Sequence, residues 1–291
     1  MYYIIFNPTA GAGRSAKALQ VVEQQLKEHK KEYKLVQTQY PNHAQELAHD
    51  AVGMGYDGIL SVGGDGTLLE VAEAIRGTDE VLGVIPAGTG NDFRHSIDVP
   101  KQPAQALDVI LAGHHCSVDI GLIDDKKAFL NVAGTGFDVD VIKNTNRVRR
   151  FLTGGAAYYL GIVMSIIGYK NATIELKTNG DTIRRTVLLV AVANGRRYGG
   201  GLQISPQASV TDGKFNVVLI NRIAKWRILI ELPKLQRGEL EKIPGLEQFM
   251  CRELAMSSTD ERQLDIDGEI FGKTPVKVRI ARNALNVFCP K

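Results

Sequence analysis

The alternation of apolar and polar residues changes character near residue 120. Before that point, short apolar runs alternate with longer stretches whose apolar residues recur at helical spacing. This pattern is typical of a mainly parallel, doubly wound α/β sheet, in which ligands bind at the carboxyl ends of the strands. It predicts strands at residues 2–6, 33–38, 59–62 and 81–85, and helices at residues 14–29, 44–52 and 105–112.

After residue 118 the apolar runs are shorter and rich in β-branched residues, which is typical of an antiparallel sandwich or barrel. Strands are predicted at 118–123, 128–133, 172–177, 186–193, 215–220, 263–266 and 276–280. Helices are predicted at 155–168 and at 223–236, the second kinked or ended near Pro233 and with Trp226 in the core. We therefore predict an α/β nucleotide-binding domain at 1–122, a β-rich domain at 123–291, and an active site in the cleft between them.

Glycine-rich segments follow two predicted strands of the first domain. Residues 63–67 read Gly-Gly-Asp-Gly-Thr, and residues 88–92 read Gly-Thr-Gly-Asn-Asp. Glycine lets the backbone approach a ligand closely, and the N–H groups at the start of the next helix favour an anion. Carboxylates in such a seat, here Asp65 and Asp92, indicate a polyphosphate bound through Mg²⁺. For either segment alone, an ordinary tight turn is the alternative.

The loop after the first strand contains a weak Gly-x-Gly-x-x-Ala match to the dinucleotide fingerprint, within residues 7–16. A dinucleotide fold needs an acidic residue at the end of the second strand, where this chain has Thr38. The longer loop is instead typical of a looser cradle for a nucleotide phosphate. The Walker pattern Gly-x-x-x-x-Gly-Lys-Ser/Thr does not occur in the sequence.

Composition narrows the class of protein. The formal charge of +3 argues against a dedicated nucleic-acid binder, which carries a strong basic excess. The three cysteines form no CxxC pattern or Cys/His cluster, so neither a disulfide framework nor a zinc site is expected. The longest apolar stretch, residues 156–169, is too short to span a bilayer. These features predict a cytoplasmic protein.

Short motifs in the second domain complete a pattern that resembles a known family. They are Tyr-Gly-Gly-Gly at 198–201, Asp-Gly at 212–213 and Asp-Gly-Glu at 267–269. Together with the segments 63–67 and 88–92, in that order and at these separations, they resemble the diacylglycerol kinase catalytic domain over nearly the whole chain. The family includes bacterial lipid kinases as well as sphingosine and ceramide kinases. Its members usually carry Asn-Glu where this chain has Leu69-Glu70, so the ATP contact of that Asn is not carried over.

The resemblance implies roles for residues of both domains. Asp65 and Asp92 would hold the ATP phosphates through Mg²⁺, and Glu269 would be the general base that takes the proton from the lipid hydroxyl. A structural Mg²⁺ would be bound by Asp212 and the backbone carbonyls of Ser209 and Lys214, with Asp119 bracing that network. The residues implied around ATP are Asn7, Gly11, Gly13, Thr38, Gly63, Gly64, Asp65, Gly66, Thr67, Leu68 and Thr89.

The sequence also contains a basic and apolar stretch suited to a membrane surface. No acidic residue occurs between Asp140 and Glu175, whereas Lys143, Arg147, Arg149, Arg150 and Lys170 flank the apolar residues 156–169. Basic residues near an anionic bilayer contribute about 1 kcal/mol each, so we expect transient peripheral contact with membrane. A buried helix preceded by a solvated basic loop is the alternative. An exposed sheet edge in the second domain would be the place for a homodimer contact.

The leading hypothesis is an ATP- and Mg²⁺-dependent lipid kinase of phospholipid metabolism, with diacylglycerol as acceptor and phosphatidic acid as product. Two alternatives remain. An NAD kinase also carries a Gly-Gly-Asp-Gly-Thr turn, although the segments at 88–92 and 198–201 favour the lipid kinase. A catalytically silent lipid or nucleotide carrier could retain the fold, although Asp65 and Glu269 argue against it because a carrier has no use for a general base.

Overall fold

A computed structural model describes residues 1–148, 155–178 and 180–291. The chain forms two compact units. The first comprises residues 1–120, 210–212 and 281–291, and the second comprises residues 121–209 and 213–280. The last strand, Val276–Phe288, therefore contributes its beginning to the second unit and its end to the first.

The first unit is an α/β structure built on parallel strand pairs. Helix α1 buries Ala18, Leu19, Val22 and Leu26, whose spacing places them on one face of the helix. The elements are β1 (Tyr2–Phe6), α1 (Arg14–Glu28), β2 (Tyr33–Gln37), α2 (His43–Ala51), β3 (Gly58–Gly63), α3 (Asp65–Ile75), β4 (Val81–Pro86), α4 (Pro103–Leu111) and β5 (His115–Ile123).

Parallel pairing sets the order of these strands. β1 lies between β2 and β3, and β3 pairs with β4 so that Gly63 lies opposite Pro86. The end of the last strand continues the sheet, with Asn286 opposite Val81. The central strands β1 and β3 are buried along their whole length, as expected for parallel strands covered on both faces. The predicted doubly wound α/β architecture is confirmed.

The second unit is dominated by antiparallel pairs. β9 pairs with β7, β8 and β10, and β13 pairs with both β7 and β14. The elements are β6 (Lys127–Phe129), β7 (Val132–Gly136), α5 (Phe137–Val148), α6 (Gly155–Gly168), β8 (Ala172–Lys177), β9 (Thr182–Ala193), β10 (Phe215–Asn221), α7 (Arg227–Arg237), β11 (Leu246–Cys251), β12 (Glu253–Ser258), β13 (Gln263–Ile266), β14 (Glu269–Lys273) and β15 (Val276–Phe288).

Alternating residues of the central strands build two separate cores in this unit. On β9, Val190 and Val192 enter a sandwich core in which the rings of Phe129 and Phe215 stack 5.6 Å apart. The residues between them face the opposite side, where Ile162 of α6 and Ile228 of α7 join a second core. Because side chains of a strand alternate between its faces, one sheet supports both a β-sandwich and a helix-covered apolar layer.

Several sequence-based expectations about local structure are wrong. Trp226 was expected in the core, but it is 63% exposed at the start of α7. Of the two outcomes expected at Pro233, a kink or a helix end, the second is wrong, because α7 continues through Pro233 to Arg237. The run 128–133 is two strands, β6 and β7, rather than one. No helix among the described residues is long and apolar enough to cross a membrane.

Candidate functional site

The parallel register of the first unit brings the two glycine segments together. β3 and β4 end side by side, and the Ala87 N–H donates to the carbonyl oxygen of Gly63 at 2.8 Å. A Cβ atom on Gly88 would overlap the Cα atom of Gly64, so the two backbones can approach this closely only as glycines. The two turns therefore lie next to each other at the carboxyl ends of neighbouring strands.

Asp65 fastens one turn to the other. Its Oδ2 accepts a hydrogen bond from the Asn91 N–H at 2.6 Å, and its Oδ1 accepts one from the Asp92 N–H at 2.7 Å. Burial raises the pKa of this carboxyl above its ordinary value, and the backbone N–H groups oppose that rise because they stabilise the charged form. Backbone N–H groups of Phe93 and of Asp65 itself also bond this carboxylate, so Asp65 holds the shape of the seat.

Residues at the ends of β1 and β2 extend the seat. Asn7 donates its Nδ2 hydrogen to Thr67 Oγ1 at 2.8 Å, and its Oδ1 accepts from the Thr9 N–H at 3.0 Å. The Thr38 N–H donates to the carbonyl oxygen of Phe6. The carboxyl ends of β1, β2, β3 and β4 therefore lie next to one another, and most of the predicted ATP residues belong to these ends.

Arg14 was not singled out from the sequence, yet it connects two of these loops. Its Nε donates to the carbonyl oxygen of Gly11 at 2.9 Å, and its Nη2 donates to Thr89 Oγ1 at 3.1 Å. The side chain is exposed and brings a guanidinium charge to a glycine-rich edge. Arginine matches phosphate oxygens well because its donors form a planar fork. An arginine directly after the second glycine of the 7–16 loop is the signal that could have found it.

The position at which this chain departs from the family pattern has a structural explanation. Leu69 is 2% exposed and belongs to the buried face of α3, so it does not face the seat. Glu70 instead accepts hydrogen bonds from the Asn42 N–H at 3.1 Å and the Ala44 N–H at 3.0 Å. The Asn42 side chain makes no capping hydrogen bond to α2, and the carboxylate of Glu70 accepts the free N–H groups there instead.

The predicted structural metal site rests mainly on backbone oxygens. Asp119 accepts a hydrogen bond from the Asn283 N–H at 2.9 Å, and its own N–H donates to the carbonyl of Val210. It therefore lies beside the segment 210–212 that contains Asp212. No group of three or more His, Cys, Asp or Glu side chains suited to a metal occurs among the described residues. A Mg²⁺ at Asp212 would thus need carbonyl oxygens and water, which Mg²⁺ accepts as ligands.

In the second unit, Asp267 joins the predicted Asp-Gly-Glu motif to two further segments of the chain. Its Oδ1 accepts from the N–H groups of Asn131 and Val132 at 2.9 Å each, and its Oδ2 accepts from the Leu130 N–H at 2.7 Å. Asn194 donates its Nδ2 hydrogen to the carbonyl of Leu130 at 2.8 Å. The Asp-Gly-Glu turn, the start of β7 and the end of β9 are therefore held together.

Glu269 follows this anchored turn and begins β14. It pairs with Ile266 of β13, and its side chain is exposed. Gly268 before it has a φ of 92°, a conformation that only glycine adopts without strain, and its N–H donates to Asp265 Oδ1 at 2.8 Å. The backbone that presents the Glu269 carboxylate is thereby fixed from both sides.

An apolar pocket lies beside the turn, within the second unit. Its volume is about 70 Å³, and its walls come from the inner faces of α5, α6 and α7 and from β9. Three carboxyl groups interrupt this lining: those of Asp138 and Asp265, which are 7% and 2% exposed, and that of Glu231, which is paired with Lys234. Gly268 also borders the pocket, so its polar end adjoins the turn that carries Glu269.

Burial raises the pKa of the Asp138 carboxyl to about 7, and the nearby charge of Asp140 adds to the rise. Burial also raises the pKa of Asp265 well above its ordinary value, as does the charge of Asp138. The sequence analysis did not select either residue. Two features of the sequence could have pointed to these residues. Asp138 ends the small-residue run 131–138, and Asp265 lies two residues before the Asp-Gly-Glu turn.

Comparison with protein families covers nearly the whole chain. The family model described as "Diacylglycerol kinase catalytic domain" matches residues 1–123. The model described as "YegS C-terminal NAD kinase beta sandwich-like domain" matches residues 131–289. The α/β unit and the β-sandwich unit thus each have a counterpart.

Comparison with individual proteins agrees. Diacylglycerol kinases of Staphylococcus aureus strains bovine RF122 / ET3-1 and MRSA252 are each 29% identical over 289 residues, covering 99% of this chain and 91% of the relative. A crystal structure of a diacylglycerol kinase from Bacillus anthracis strain Sterne has a TM-score of 0.76 at 20% identity and covers 99% of this chain and 96% of its own. A second structure from that organism reaches a TM-score of 0.81 at 22% identity. At these identities the structures establish the fold.

Proposed function

Because the chain belongs to the diacylglycerol kinase catalytic-domain family, we propose that it is an ATP- and Mg²⁺-dependent lipid kinase. It transfers the γ-phosphate of ATP to a lipid hydroxyl, with diacylglycerol as the expected acceptor and phosphatidic acid as the product. The observation that carries this proposal is that one chain has both features a lipid kinase needs. The first unit has a glycine-rich anion seat, and the second has an apolar pocket beside a fixed carboxylate turn.

The first unit is proposed to bind the nucleotide. Phosphoryl transfer depends on alignment of donor and acceptor and on stabilisation of charge on the transferred oxygens. The N–H groups at the start of α3, the close turns held by Asp65, and the guanidinium of Arg14 supply positive potential for the phosphates. Asp65 and Asp92 would hold Mg²⁺ at the phosphates, and Asp212 with the carbonyls of Ser209 and Lys214 would hold a structural Mg²⁺. Bound Mg²⁺ supplies charge neutralisation to the phosphate oxygens.

The second unit is proposed to bind the acceptor. Acyl chains enter the apolar pocket, and the hydroxyl lies near the Asp-Gly-Glu turn. The carboxylate of Glu269 takes the hydroxyl proton as the lipid oxygen bonds to the γ-phosphorus and the bond from that phosphorus to the β,γ-bridging oxygen breaks, which releases ADP. A positioned general base contributes roughly 10²- to 10⁴-fold to such a step.

The NAD kinase alternative is less well supported. One family model carries "NAD kinase" in its description, so the sandwich alone does not separate the two activities. The pocket separates them better, because its walls are mainly apolar and offer few partners to the hydroxyls of a dinucleotide, while its three carboxyl groups would repel the phosphates.

The test is transfer of labelled γ-phosphate from ATP to a panel of diacylglycerol, monoacylglycerol, sphingosine, ceramide, undecaprenol and NAD, with Mg²⁺ and with EDTA. Wild type is compared with Glu269→Gln, which removes the base and keeps its shape. The expected result is label in a lipid, lost with EDTA, and a kcat lowered roughly 10²-fold or more in the variant. Glu261→Gln is the matched control, since Glu261 is exposed and pairs with Lys273 at 3.0 Å.

Other outcomes would contradict the proposal in distinguishable ways. Label in NAD alone would identify an NAD kinase. ATP binding without label in any acceptor would favour the carrier hypothesis. Full activity of Glu269→Gln would leave the kinase but remove Glu269 from its role as base.

We also propose that the enzyme is cytoplasmic and contacts anionic membrane through the outer faces of α6 and α7. Both helices expose large apolar side chains, which soluble surfaces rarely concentrate. The α6–α7 surface comprises Tyr159, Leu160, Val163, Met164, Ile167, Trp226, Leu229 and Ile230. Lys225 donates its Nζ hydrogen to the carbonyl of Ile167 at 2.8 Å, so the end of α6 lies next to the start of α7.

The charge around the α6–α7 surface supports an anionic membrane as its binding partner. Arg222, Lys225 and Arg227 are exposed, and no acidic residue occurs between Asp212 and Glu231. Glu231 itself is buried and paired with Lys234 at 2.7 Å. Trp226 also carries the Arg227 guanidinium 5.9 Å from its ring centroid, an amphipathic pair suited to the bilayer interface. Of the basic loop predicted for this contact, Arg149 and Arg150 lie outside the described residues.

A further inference from the structure

Two of the three carboxyl groups in the apolar pocket, those of Asp138 and Asp265, lie over the same position of the sheet. Asp265 pairs with Gly134 across the β13–β7 ladder. A Cβ atom on Gly134 would lie 2.7 Å from Asp138 Oδ2, so the carboxyl of Asp138, at the start of α5, covers that glycine. Asp138 Oδ1 accepts from the Val139 N–H at 2.9 Å, and Asp265 Oδ1 accepts from the Gly268 N–H at 2.8 Å. Asp138 Oδ2 is buried and has no hydrogen-bond partner in the described part of the chain.

An arrangement of this kind holds at least one proton at neutral pH. Two buried carboxylates repel each other, and neither has a cation within hydrogen-bonding distance among the described residues. The charged groups nearest the pair are acidic, namely Asp140 on α5 and Asp267 and Glu269 on the β13–β14 turn. Glu231 on α7 is neutralised by Lys234, and the cations Lys143, Arg147 and Arg262 act on Asp140. The Tyr169 hydroxyl donates instead to the backbone carbonyls of Val187 and Leu188, so it does not neutralise the pair.

We propose that Asp138 and Asp265 share one proton and form a hydrogen-bond donor at the floor of the apolar pocket, which selects lipid acceptors that carry an ester carbonyl next to the phosphorylated hydroxyl. This inference rests on the proposed lipid kinase activity and specifies its substrate class. The carbonyl oxygen of an ester accepts hydrogen bonds and donates none, so it complements a carboxylic acid in a mainly apolar wall.

The same chemistry excludes other polar groups. An ether oxygen is a poorer acceptor than a carbonyl, and a long-chain alcohol with no neighbouring oxygen would leave the acid buried without a partner. A site built around a hydrogen bond discriminates strongly against an analogue that cannot make it, because its buried polar group is then left unpaired. Diacylglycerol meets the requirement, because the carbon next to its free hydroxymethyl group bears an ester.

The experiment compares 1,2-dioctanoylglycerol with 1,2-di-O-octylglycerol, which has the same chain length and hydroxyl but no carbonyl. The ratio of the two kcat/KM values is measured from pH 6 to pH 9, so effects on ATP or on the base cancel. We expect wild type to prefer the ester roughly tenfold at pH 6 and to lose that preference as the shared proton dissociates at higher pH. Asp138→Asn keeps a donor in place and should keep the preference at every pH. Asp138→Leu removes the donor and should abolish it.

The outcomes separate this inference from the proposed function. Equal kcat/KM values for the two lipids in wild type at pH 6 would overturn the inference while leaving the kinase intact, and this result needs no variant to fold. A preference that survives in folded Asp138→Leu would overturn it as well. If neither lipid is phosphorylated, calorimetric titration of the protein with the same two lipids measures whether it binds the ester more tightly than the ether. Tighter binding of the ester would then support the inference although the kinase had failed, and equal binding would overturn both.

Discussion

Glu70 lies on helix α3, yet its carboxylate completes the first turn of helix α2. It accepts the N–H groups of Asn42 and Ala44, which have no partner inside α2. We expect Glu70→Ala to lower the free energy of unfolding by about 1 kcal/mol, which is the usual effect of removing a helix cap. Urea denaturation of wild type and variant would measure it.

The control for this prediction is Glu32→Ala, which removes the same chemical group from an exposed position of the same unit. An equal loss in both variants would show that Glu70 contributes charge rather than capping. The Asn42 backbone has a φ of 66°, so Asn42→Ala is not a suitable control because it adds strain of its own.

At the scale of single residues, the sequence predicts those functional residues that lie in glycine-containing motifs. Asp65 and Glu269 could be selected because each lies in a glycine-containing motif of recognisable spacing. Asp138 and Asp265 could not be placed together, because they are 127 positions apart and meet only through the pairing of β7 with β13. The contact of Arg14 with Thr89 could not be predicted for the same reason, because it forms only when the loops that follow β1 and β4 come close together.

At the scale of elements, strands with an uninterrupted apolar run were predicted well and half-exposed strands were missed. β1, an uninterrupted apolar run, has the predicted bounds. β11 and β14 were not predicted, because none of their residues is buried and they show no apolar alternation. Helix α5 was missed because its sequence begins with a small-residue turn and contains three β-branched valines.

The α6–α7 surface gives the second prediction. Trp226→Ser combined with Ile167→Ser removes two exposed apolar side chains, and Lys225→Gln combined with Arg227→Gln removes two charges. At about 1 kcal/mol for each basic residue, neutralising both should weaken binding to phosphatidylserine-containing vesicles roughly 30-fold. The serine pair should weaken binding to anionic and neutral vesicles alike, because the lost contribution is apolar. Vesicle co-sedimentation would measure both effects.

Matched controls for this surface come from elsewhere in the chain. Met54→Ser removes an apolar side chain that is 69% exposed in the first unit, and Lys27→Gln removes an exposed charge from α1. Neither should change vesicle binding. If both pairs of α6–α7 variants bind as wild type does, the surface is not the membrane contact.

At the scale of the whole molecule, the chain returns to its first unit after building the second. Residues 281–291 belong to the first unit, where the Ala284 carbonyl accepts from the Gly77 N–H at 2.8 Å. The segment 210–212, which contains Asp212, returns in the same way and brings Val210 beside Asp119. These returns depend on long-range strand pairing, so no local sequence pattern predicts them. The change from helical to strand periodicity near residue 120 is different, because it is visible along the sequence.

The buried carboxyl pair makes the stability of the protein depend on pH in a predictable direction. Burial raises the pKa of Asp138 to about 7 in the folded state, whereas the unfolded chain has the ordinary value of 3.8. Between these values the folded protein binds more protons than the unfolded one, so its free energy of unfolding falls as pH rises, by at most about 1.4 kcal/mol per pH unit for this group. The contribution is fully present below pH 3.8 and is lost once the pH exceeds about 7.

Asp138→Asn does not titrate, so the variant should gain stability relative to wild type from pH 4 to pH 7 and keep a constant advantage from there to pH 9. Carboxyls with a lowered pKa, such as Glu247 beside Arg185, give the opposite slope but are common to both proteins and cancel in the difference. Urea denaturation at each pH measures that difference, with Asp181→Asn as the exposed control. Parallel stability curves for wild type and Asp138→Asn would show that Asp138 is ionised in the folded protein. The proposal of a shared proton would then be wrong, and so would the ester selectivity that depends on it.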